Sequence, residues 1–428
     1  MMERRRELVN FLPVLLLMLV GFASVYAARS EQINAGSLTY GLFFIGLFAG
    51  AHLLLRVAAP HADPYLLPLA ALLSALGIMM IYRIDPGLAA AQTKWLMVGL
   101  GLFAAIVVFL RDYRKLDDYI YLLGALGVLL LALTIIFGSE INGARLWLRF
   151  GGLSIQPGEF SKVLITIFLA GYLNSKRELL STTTWRFLGI PMPDLKHLLP
   201  LVTMWGLSFA LLLLMNDLGT SLLFFGIFLA MTYVATGRLA YPMLGGILFT
   251  GGAILAYNIK YTVHTRVDIW LNPWTDAAGS GYQIVQSLFA IGDGGLFGTG
   301  LGKGYLLFQS GEPIIPALHT DFIFSAIAEE LGLAGATALI ILFMLLCYRG
   351  FKIAITSDDG FSKLLAVGLS AGLALQTFVI LGGVMKLIPL TGITLPFVSY
   401  GGSSIVANYA SLALLLLISH RTNAEQAS

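Results

Sequence analysis

One acidic residue stands out in the segment LNPWTDAAGSGYQ, residues 271 to 283, of an otherwise apolar chain. The turn formers NPW and AAGSG flank Asp276, so its carboxylate is expected on a well-defined bend. Trp270, Trp274 and Tyr282 are near in sequence, and sugars stack on such aromatic faces. A carboxylate desolvated by these rings could act as a general base, an effect of about 10²–10⁴-fold in rate. The alternative is a turn acid that only caps the next helix.

Four basic residues in other polar segments are candidate anion ligands. Arg145 and Arg149 flank Trp147, Lys162 follows in the same segment, and Lys386 opens the last polar segment. Guanidinium and ammonium groups both bind phosphate oxygens, so the four residues favour a shared phosphate or pyrophosphate ligand. The alternative is that each side chain extends to lipid headgroups.

The composition identifies an integral membrane protein. Hydrophobic residues make up 58% and charged residues 11% of the chain, and the mean hydropathy is +0.85, whereas globular domains have roughly 45–50% apolar and 25% charged residues. The single cysteine, Cys347, excludes a disulfide framework and a thiol metal site. No nucleotide-loop or zinc motif is present, and no nucleic acid is expected as a partner.

Apolar runs near the length of a membrane-spanning helix, about 20 residues, predict an all-α polytopic membrane protein with about 12 transmembrane helices. The first run follows Arg4, Arg5 and Arg6 and precedes VYAA, so a cleaved signal peptide is its alternative interpretation. The runs near 95–110 and 160–174 are short and need polar flanks to complete a crossing. The twelve runs are 10–28, 37–58, 64–82, 95–110, 117–138, 160–174, 197–215, 218–236, 239–258, 321–348, 364–385 and 403–419.

The distribution of basic residues predicts cytoplasmic N- and C-termini, because cytoplasmic loops are rich in Lys and Arg. Three polar segments then lie on the extracytoplasmic side: 139–162, 259–320 and 386–403. The large extracytoplasmic loop 259–320 is longer than ordinary connections and is expected to be functional. Its glycine-rich part, 292–304, follows no strand and is interpreted as a flexible flap rather than a nucleotide loop.

Four further acids accompany the helices. Asp217 and Asp321 are expected to be helix N-terminal acids, favoured by the helix dipole. Glu329 and Glu330 are expected to pair with an outer cation such as Lys162 or Lys386.

Five ordered blocks resemble those of the SEDS family of bacterial peptidoglycan polymerases (FtsW, RodA and SpoVE). The resemblance covers roughly residues 64–420. The blocks are NGARLWLRFGGLSIQPGEFSK, NDLGTS, NPWTDAAGSGYQIVQSLFAIGDGGLFGTGLGKG, HTDFIFSAIAEELGLAG and LIPLTGITLPFVSYGGSS.

The resemblance implies a glycosyltransferase that polymerises lipid II on the outer face of the plasma membrane, paired with a class B penicillin-binding protein. It implies that Asp276 is catalytic and that undecaprenyl pyrophosphate leaves with inversion. Mg²⁺ or Mn²⁺ bridging Asp276 and the pyrophosphate is compatible with this chemistry, although the sequence shows no dedicated cage, and no organic cofactor is expected. The implied substrate-binding residues are Arg145, Trp147, Lys162, Trp274, Tyr282, Gln283, Lys386 and Ser399.

The chain departs from the family pattern in two places. Residues 1–63 are expected to hold two additional N-terminal transmembrane helices before a core at 64–420 and a cytoplasmic tail at 421–428. IPALHTDF also stands where family members have LPE before HTDF. A role in elongation and a role in division both remain open from the sequence, and the short C-terminal tail and the lack of an N-terminal extension lean towards elongation.

Two other functions remain open at this point. The first is a flippase for lipid-linked oligosaccharides, which needs cations and a cavity but no base. Its critical charges are expected near the membrane centre, whereas those of this chain lie in the outer segments. The second is a scaffold for cell-division partners, which leaves the acid among aromatic residues unexplained.

Overall fold

The computed structural model describes residues 2–25, 35–141, 144–151, 153–181, 185–187, 190–192, 194–308 and 311–427. Each of the twelve predicted apolar runs coincides with a helix there, although the end of the first run and most of VYAA lie outside the described residues. The helices are α1 (Arg4–Val25), α2 (Ala35–Ala58), α3 (Leu66–Ile84), α4 (Pro86–Phe109), α5 (Ile120–Phe137), α6 (Pro157–Ser181), α7 (Leu195–Leu214), α8 (Leu218–Thr236), α9 (Ala240–Ile259), α10 (Tyr261–Leu271), α11 (Tyr282–Asp293), α12 (Ile323–Thr356), α13 (Gly360–Val384) and α14 (Gly402–Ala427).

Ten of the described helices are long and apolar enough to cross a membrane. Helix α7 contributes a shorter apolar stretch, Leu199–Leu214. Helix α6 is long but carries Glu159 and Lys162, which are buried as an ion pair 2.9 Å apart. The two short predicted runs do gain length from their flanks, because α4 begins at Pro86 and α6 ends at Ser181.

Two small antiparallel sheets accompany the helices and were not expected from the sequence. The first has the order β1-β2-β3, from Ser139–Ile141, Ala144–Phe150 and Leu153–Ile155. The second pairs β4 (Trp185–Phe187) with β5 (Ile190–Met192). These strands are short, and their apolar and polar residues do not alternate over a length that periodicity can detect.

The chain divides into two compact units. Unit 1 comprises residues 1–109, 261–349 and 376–424. Its most buried helix is α14, where the Tyr409 hydroxyl lies 2.8 Å from that of Ser74 in α3. Gln92 of α4 bonds the Ser399 carbonyl and the Gly401 amide. These bonds satisfy backbone groups that no helix pairs, as a membrane interior requires.

Unit 2 comprises residues 110–260, 350–375 and 425–428. Helix α6 packs closely against α5 and α8, and the Ser161 hydroxyl donates to the Gly127 carbonyl across the α5–α6 contact. Asp217 caps α8 by accepting from the Thr220 amide at 2.9 Å, which confirms its predicted role as a helix N-terminal acid.

The long loop 259–320 contains regular structure. Helix α10, a 3₁₀ turn at Pro273–Asp276 and helix α11 occupy its first half. These elements and the glycine-rich segment after α11 all belong to unit 1, so this described part of the loop is structured.

The glycine-rich segment 292–304 is anchored, and its interpretation as a flexible flap is wrong. Glu330 accepts hydrogen bonds from the Gly302 amide at 2.8 Å and the Gly304 amide at 3.3 Å. Helix α12 is interrupted at Gly332, where φ is 67°. A β-carbon there would lie 2.3 Å from the Gly298 nitrogen, so only glycine permits this backbone approach.

Glu330 pairs with a basic residue of the predicted outer group, as expected, but that residue is Arg83 and not Lys162 or Lys386. Arg83 Nε lies 3.1 Å from Glu330 Oε1, and Arg83 Nη2 donates to the Gly304 carbonyl at 3.1 Å. Glu329 accepts a bond from the Tyr305 amide. The two glutamates of α12 therefore hold the glycine-rich segment and the adjacent Tyr305 against this helix. Arg83 links the same segment to α3.

Candidate functional site

The turn that carries Asp276 is built by its own sequence. Asn272 begins it by accepting from the Trp274 amide at 3.3 Å. The Asp276 carboxylate accepts from the backbone amide of Ser280 at 2.7 Å and from its hydroxyl at 2.9 Å. A β-carbon on Gly279 would lie 2.5 Å from both carboxylate oxygens, so the AAGSG stretch closes tightly over the acid.

The turn leaves Asp276 exposed, which corrects the expectation of a carboxylate desolvated by aromatic rings. The backbone and hydroxyl bonds from Ser280, with a smaller contribution from the Gly279 amide, lower the pKa of Asp276 below its ordinary value. Asp276 is thus ionised at neutral pH and able to accept a proton, but the same bonds make it a weak base. The carboxylate accepts hydrogen bonds from Ser280, which precedes α11. It does not cap α11, because the N-cap residue of that helix is Gly281.

A cavity of about 230 Å³ lies in unit 1 beside this turn. Ser280, the partner of Asp276, forms part of its wall, which puts the Asp276 turn at the cavity rim. The wall combines α10, the start of α11, the residue Asp321 and the segment after α13. The lining residues are Arg266, Ile269, Trp270, Ser280, Gln283, Ile284, Asp321, Gly383, Lys386, Ile388, Leu390 and Gly392.

Lys386 lines this cavity from an unusual backbone conformation. Its φ of 60° lies in the left-handed region, which is costly for a residue with a β-carbon. The conformation is held by the bond from its amide to the Gly383 carbonyl at 3.2 Å and by Trp270 Nε1, which donates to the Lys386 carbonyl at 3.2 Å. Trp270 therefore positions the lysine backbone at the cavity wall.

Asp321 belongs to the same wall, although the sequence indicated only a helix N-terminal acid. Desolvation raises the pKa of Asp321 to about 6, while Thr320 and the nearby Arg266 act in the opposite direction. Asp321 is therefore mostly ionised at neutral pH and becomes neutral in mildly acidic solution.

The other predicted residues of unit 1 differ in their positions. Gln283 lines the cavity and donates to the Pro316 carbonyl at 3.1 Å. The Tyr282 hydroxyl donates to the Ile314 carbonyl at 3.1 Å, so this ring braces the loop. Trp274 is half exposed and packs against Phe289. Ser399 is buried, and its hydroxyl donates to the Thr320 carbonyl while accepting from the Leu395 amide.

The predicted residues of unit 2 lie on the first sheet and on α6. Arg145 is an exposed residue of β2 whose Nε is 3.3 Å from Glu140. Trp147 is half-buried on the same strand, and its carbonyl accepts from the Ser139 hydroxyl. Lys162 is buried with Glu159 as its ion-pair partner. Arg149, the other predicted anion ligand of this segment, is also exposed on β2, so the described residues place one buried and two exposed cations on α6 and the first sheet.

Two charged residues of the cavity wall, Arg266 and Asp321, were not among the predicted site residues. Arg266 is ten positions before Asp276 and was not among the four basic residues considered as anion ligands. Asp321 directly precedes an apolar run, a position that a capping acid also occupies. Both residues are charged in a chain with few charges, and this was the only sequence signal for them. Their spacing in the sequence does not show that α10 and the segment after α13 line the same cavity.

Comparisons with known proteins agree with this architecture. The model of the family of cell cycle proteins FtsW, RodA and SpoVE matches residues 61–424. The peptidoglycan glycosyltransferase RodA of Mycobacterium tuberculosis is 45% identical over 410 residues, covering 92% of this chain and 86% of the relative. Stage V sporulation protein E of Bacillus subtilis is 35% identical over 369 residues, covering 83% of this chain and 96% of the relative.

A solved structure gives the same result. A chain from a peptidoglycan synthase complex, studied for its coordination of polymerization and crosslinking, superimposes with a TM-score of 0.66 at 31% identity. The likeness covers 85% of this chain and 98% of that one. The match over residues 61–424 and these relatives show that the chain belongs to the FtsW/RodA/SpoVE family.

Proposed function

We propose that this chain is a multi-pass membrane glycosyltransferase that polymerises lipid II into β-1,4-linked glycan strands of peptidoglycan. The observation that carries the proposal is the cavity of unit 1, which has Lys386 in its wall and the Asp276 carboxylate bonded to Ser280 at its rim. A base beside a cation-lined cavity suits a reaction in which a hydroxyl loses a proton and a phosphate group departs. The relatives named as peptidoglycan glycosyltransferases supply the substrate class.

In the proposed reaction, Asp276 accepts the proton of the 4-hydroxyl of the acceptor GlcNAc. The freed oxygen forms a bond to the anomeric carbon of MurNAc on a second lipid II, and the bond from that carbon to the pyrophosphate oxygen breaks. Undecaprenyl pyrophosphate takes the bonding electrons, and one displacement converts the α-linked donor into a β-linkage. Lys386 is assigned to the phosphate groups. Arg145, Trp147 and Lys162 keep the substrate-binding roles that the family resemblance implies.

The Ser280 bonds must weaken for Asp276 to reach the pKa of an efficient base. Hydrogen bonds of catalytic groups commonly rearrange when substrate binds. An acceptor hydroxyl that approaches the exposed carboxylate can replace the Ser280 hydroxyl as a donor, which places the proton to be removed in a hydrogen bond to Asp276. Substrate contacts, or the positioning of this loop for such contacts, are assigned to Gln283, Trp274 and Tyr282. Ser399 is assigned to holding the chain at Thr320.

A divalent cation fits this site only with help from the substrate. Among the described residues, no group of three His, Cys, Asp or Glu side chains is placed to hold a metal. Mg²⁺ is usually bound by one or two carboxylates together with substrate phosphates, and Asp276 can supply one carboxylate. Such a cation would neutralise charge on the pyrophosphate.

The proposed partner is a class B penicillin-binding protein that cross-links the strands. The similar chain from a peptidoglycan synthase complex supports it, because polymerization and crosslinking are coordinated in that assembly. The active site is assigned to the extracytoplasmic side and both termini to the cytoplasm, on the distribution of Lys and Arg.

Purified protein incubated with fluorescent lipid II tests the function. We expect a ladder of glycan strands on a gel, and more product when the class B partner is added with its transpeptidase serine inactivated. A muramidase that cuts β-1,4 linkages should collapse the ladder. Lipid II that stays unpolymerised with the correct partner present contradicts the proposal.

Replacing Ser280 with Ala should shift the acid limb of the pH–rate profile upward. Loss of the hydroxyl removes one bond to the Asp276 carboxylate, so the folded-state pKa of Asp276 rises and protonation begins at higher pH. The measurement is the initial rate of polymerisation from acidic to neutral pH. Thr275→Ala is the matched control, since its hydroxyl donates to the Asn272 carbonyl instead. If the acid limb of the pH–rate profile does not shift in Ser280→Ala, then that limb reports the protonation of a group other than Asp276.

A further inference from the structure

The wall of the unit 1 cavity contains an arginine to which no role has been given above. Arg266 is half-buried on α10, and its Nη1 donates to the Thr391 carbonyl at 3.0 Å. A β-carbon placed on Gly392 would lie 3.9 Å from Arg266 Nη2 and 3.7 Å from Asp321 Oδ2. The guanidinium and the carboxylate therefore both lie within 4 Å of the β-carbon position of Gly392, on the cavity surface.

The same cavity contains a second fixed cation. Lys386 lines it from the backbone conformation that Trp270 holds through the Lys386 carbonyl. Arg266 is in turn tied to Thr391, in the segment that follows Lys386. Both cations are thus positioned by bonds from α10 to one segment, 386–392, so their arrangement does not depend on a bound ligand.

Charge and size together define the ligand. With Asp321 ionised, Arg266, Lys386 and Asp321 leave one net positive charge in the wall, and neutral Asp321 leaves two. A guanidinium presents a planar fork to phosphate oxygens, and an ammonium adds a point charge. The cavity, about 230 Å³, is smaller than the roughly 300–1,000 Å³ of sites for drug-sized ligands. It therefore suits one compact polyanionic group rather than a whole lipid-linked disaccharide.

We propose that Arg266 and Lys386 together bind a diphosphate group in this cavity and that the negative charge of Asp321 limits the affinity. The identification of that group as part of a lipid-linked sugar donor rests on the proposed function. Asp321 holds its charge beside Arg266 and opposes an incoming anion, so it sets how readily the diphosphate leaves. A phospholipid headgroup offers the same phosphate oxygens but only a single negative charge.

Direct binding to the full-length protein in detergent tests this proposal without any turnover. The probes are inorganic pyrophosphate and short-chain phosphatidylglycerol below its micelle concentration, titrated calorimetrically at one fixed pH with a chelator present. We expect pyrophosphate to bind more tightly than phosphatidylglycerol. Equal or tighter binding of phosphatidylglycerol would overturn the diphosphate assignment in favour of a headgroup site, and no binding of pyrophosphate would overturn the site itself.

Variants separate charge from folding. Arg266→Gln should weaken pyrophosphate binding by about tenfold to a hundredfold, the contribution of one charge-assisted hydrogen bond, and Arg266→Lys should recover part of that loss. Asp321→Asn should strengthen binding several-fold, a gain that misfolding cannot produce. His264→Gln is the control on the same helix, because His264 pairs with Asp268. Unchanged binding in Arg266→Gln, or weaker binding in Asp321→Asn, contradicts the proposal.

The two proposals fail separately. Wild-type protein that binds pyrophosphate but makes no glycan contradicts the proposed function alone. Protein that makes glycan strands while Arg266→Gln retains full pyrophosphate affinity contradicts the diphosphate site alone.

Discussion

Replacing Asp276 with Asn is expected to lower the rate of lipid II polymerisation by about 10²–10⁴-fold, the usual contribution of a general base. Asn keeps the shape and one acceptor oxygen, so the Ser280 amide bond can persist while the proton acceptor is lost. The measurement is the initial rate of strand formation by purified protein with its partner present. The thermal unfolding midpoint of the variant should stay close to that of the wild type.

Asp268→Asn is the matched control for this substitution. Asp268 is also an exposed aspartate, on α10, and its carboxylate pairs with His264. Its replacement should leave the rate near that of the wild type. Equal rates for Asp276→Asn and the wild type would reduce Asp276 to a turn residue and move the catalytic assignment to another group.

Replacing Glu330 with Ala is expected to destabilise unit 1 by about 3–5 kcal/mol, since removing one partner of a buried ion pair leaves the other charge uncompensated. Removing the Glu330 carboxylate also leaves the Gly302 and Gly304 amides without the acceptor of their hydrogen bonds. The thermal unfolding midpoint in detergent should fall by about 6 °C or more. The glycine-rich segment should also become more accessible to a protease.

Two comparisons make this stability prediction specific. Glu312→Gln changes an exposed glutamate of the same loop and should lower the midpoint far less than Glu330→Ala does. Arg83→Gln combined with Glu330→Gln should cost less than the sum of the single changes, because each single change already breaks the shared ion pair. Additive costs would show that Arg83 and Glu330 do not act together.

The sequence predicted the helices well because membrane crossing imposes a length and a composition on each of them. All twelve apolar runs coincide with helices, including α6, whose acid and lysine neutralise each other. The short strands β1 to β5 were missed because three to seven residues carry no readable periodicity. The glycine-rich segment was misread because the bonds that anchor it come from Glu330 and Arg83, which are distant in sequence.

The candidate site was predictable in part. The Asp276 turn follows from local turn chemistry, and the structure contains it with Ser280 as the closing residue. The environment of the carboxylate was not predictable, because solvent exposure depends on how the aromatic residues pack. Tyr282 braces the loop at Ile314, and Trp270 holds Lys386, so neither ring covers the acid. Arg266 and Asp321 join the site only through tertiary contacts.

The most direct test of the central claim uses vesicles that contain the purified protein and its class B partner, with labelled lipid II supplied to the outer leaflet only. We predict glycan strands that remain in that leaflet, and none with Asp276→Asn. Movement of label to the inner leaflet without strand formation, unaffected by Asp276→Asn, would contradict the account and support a lipid flippase.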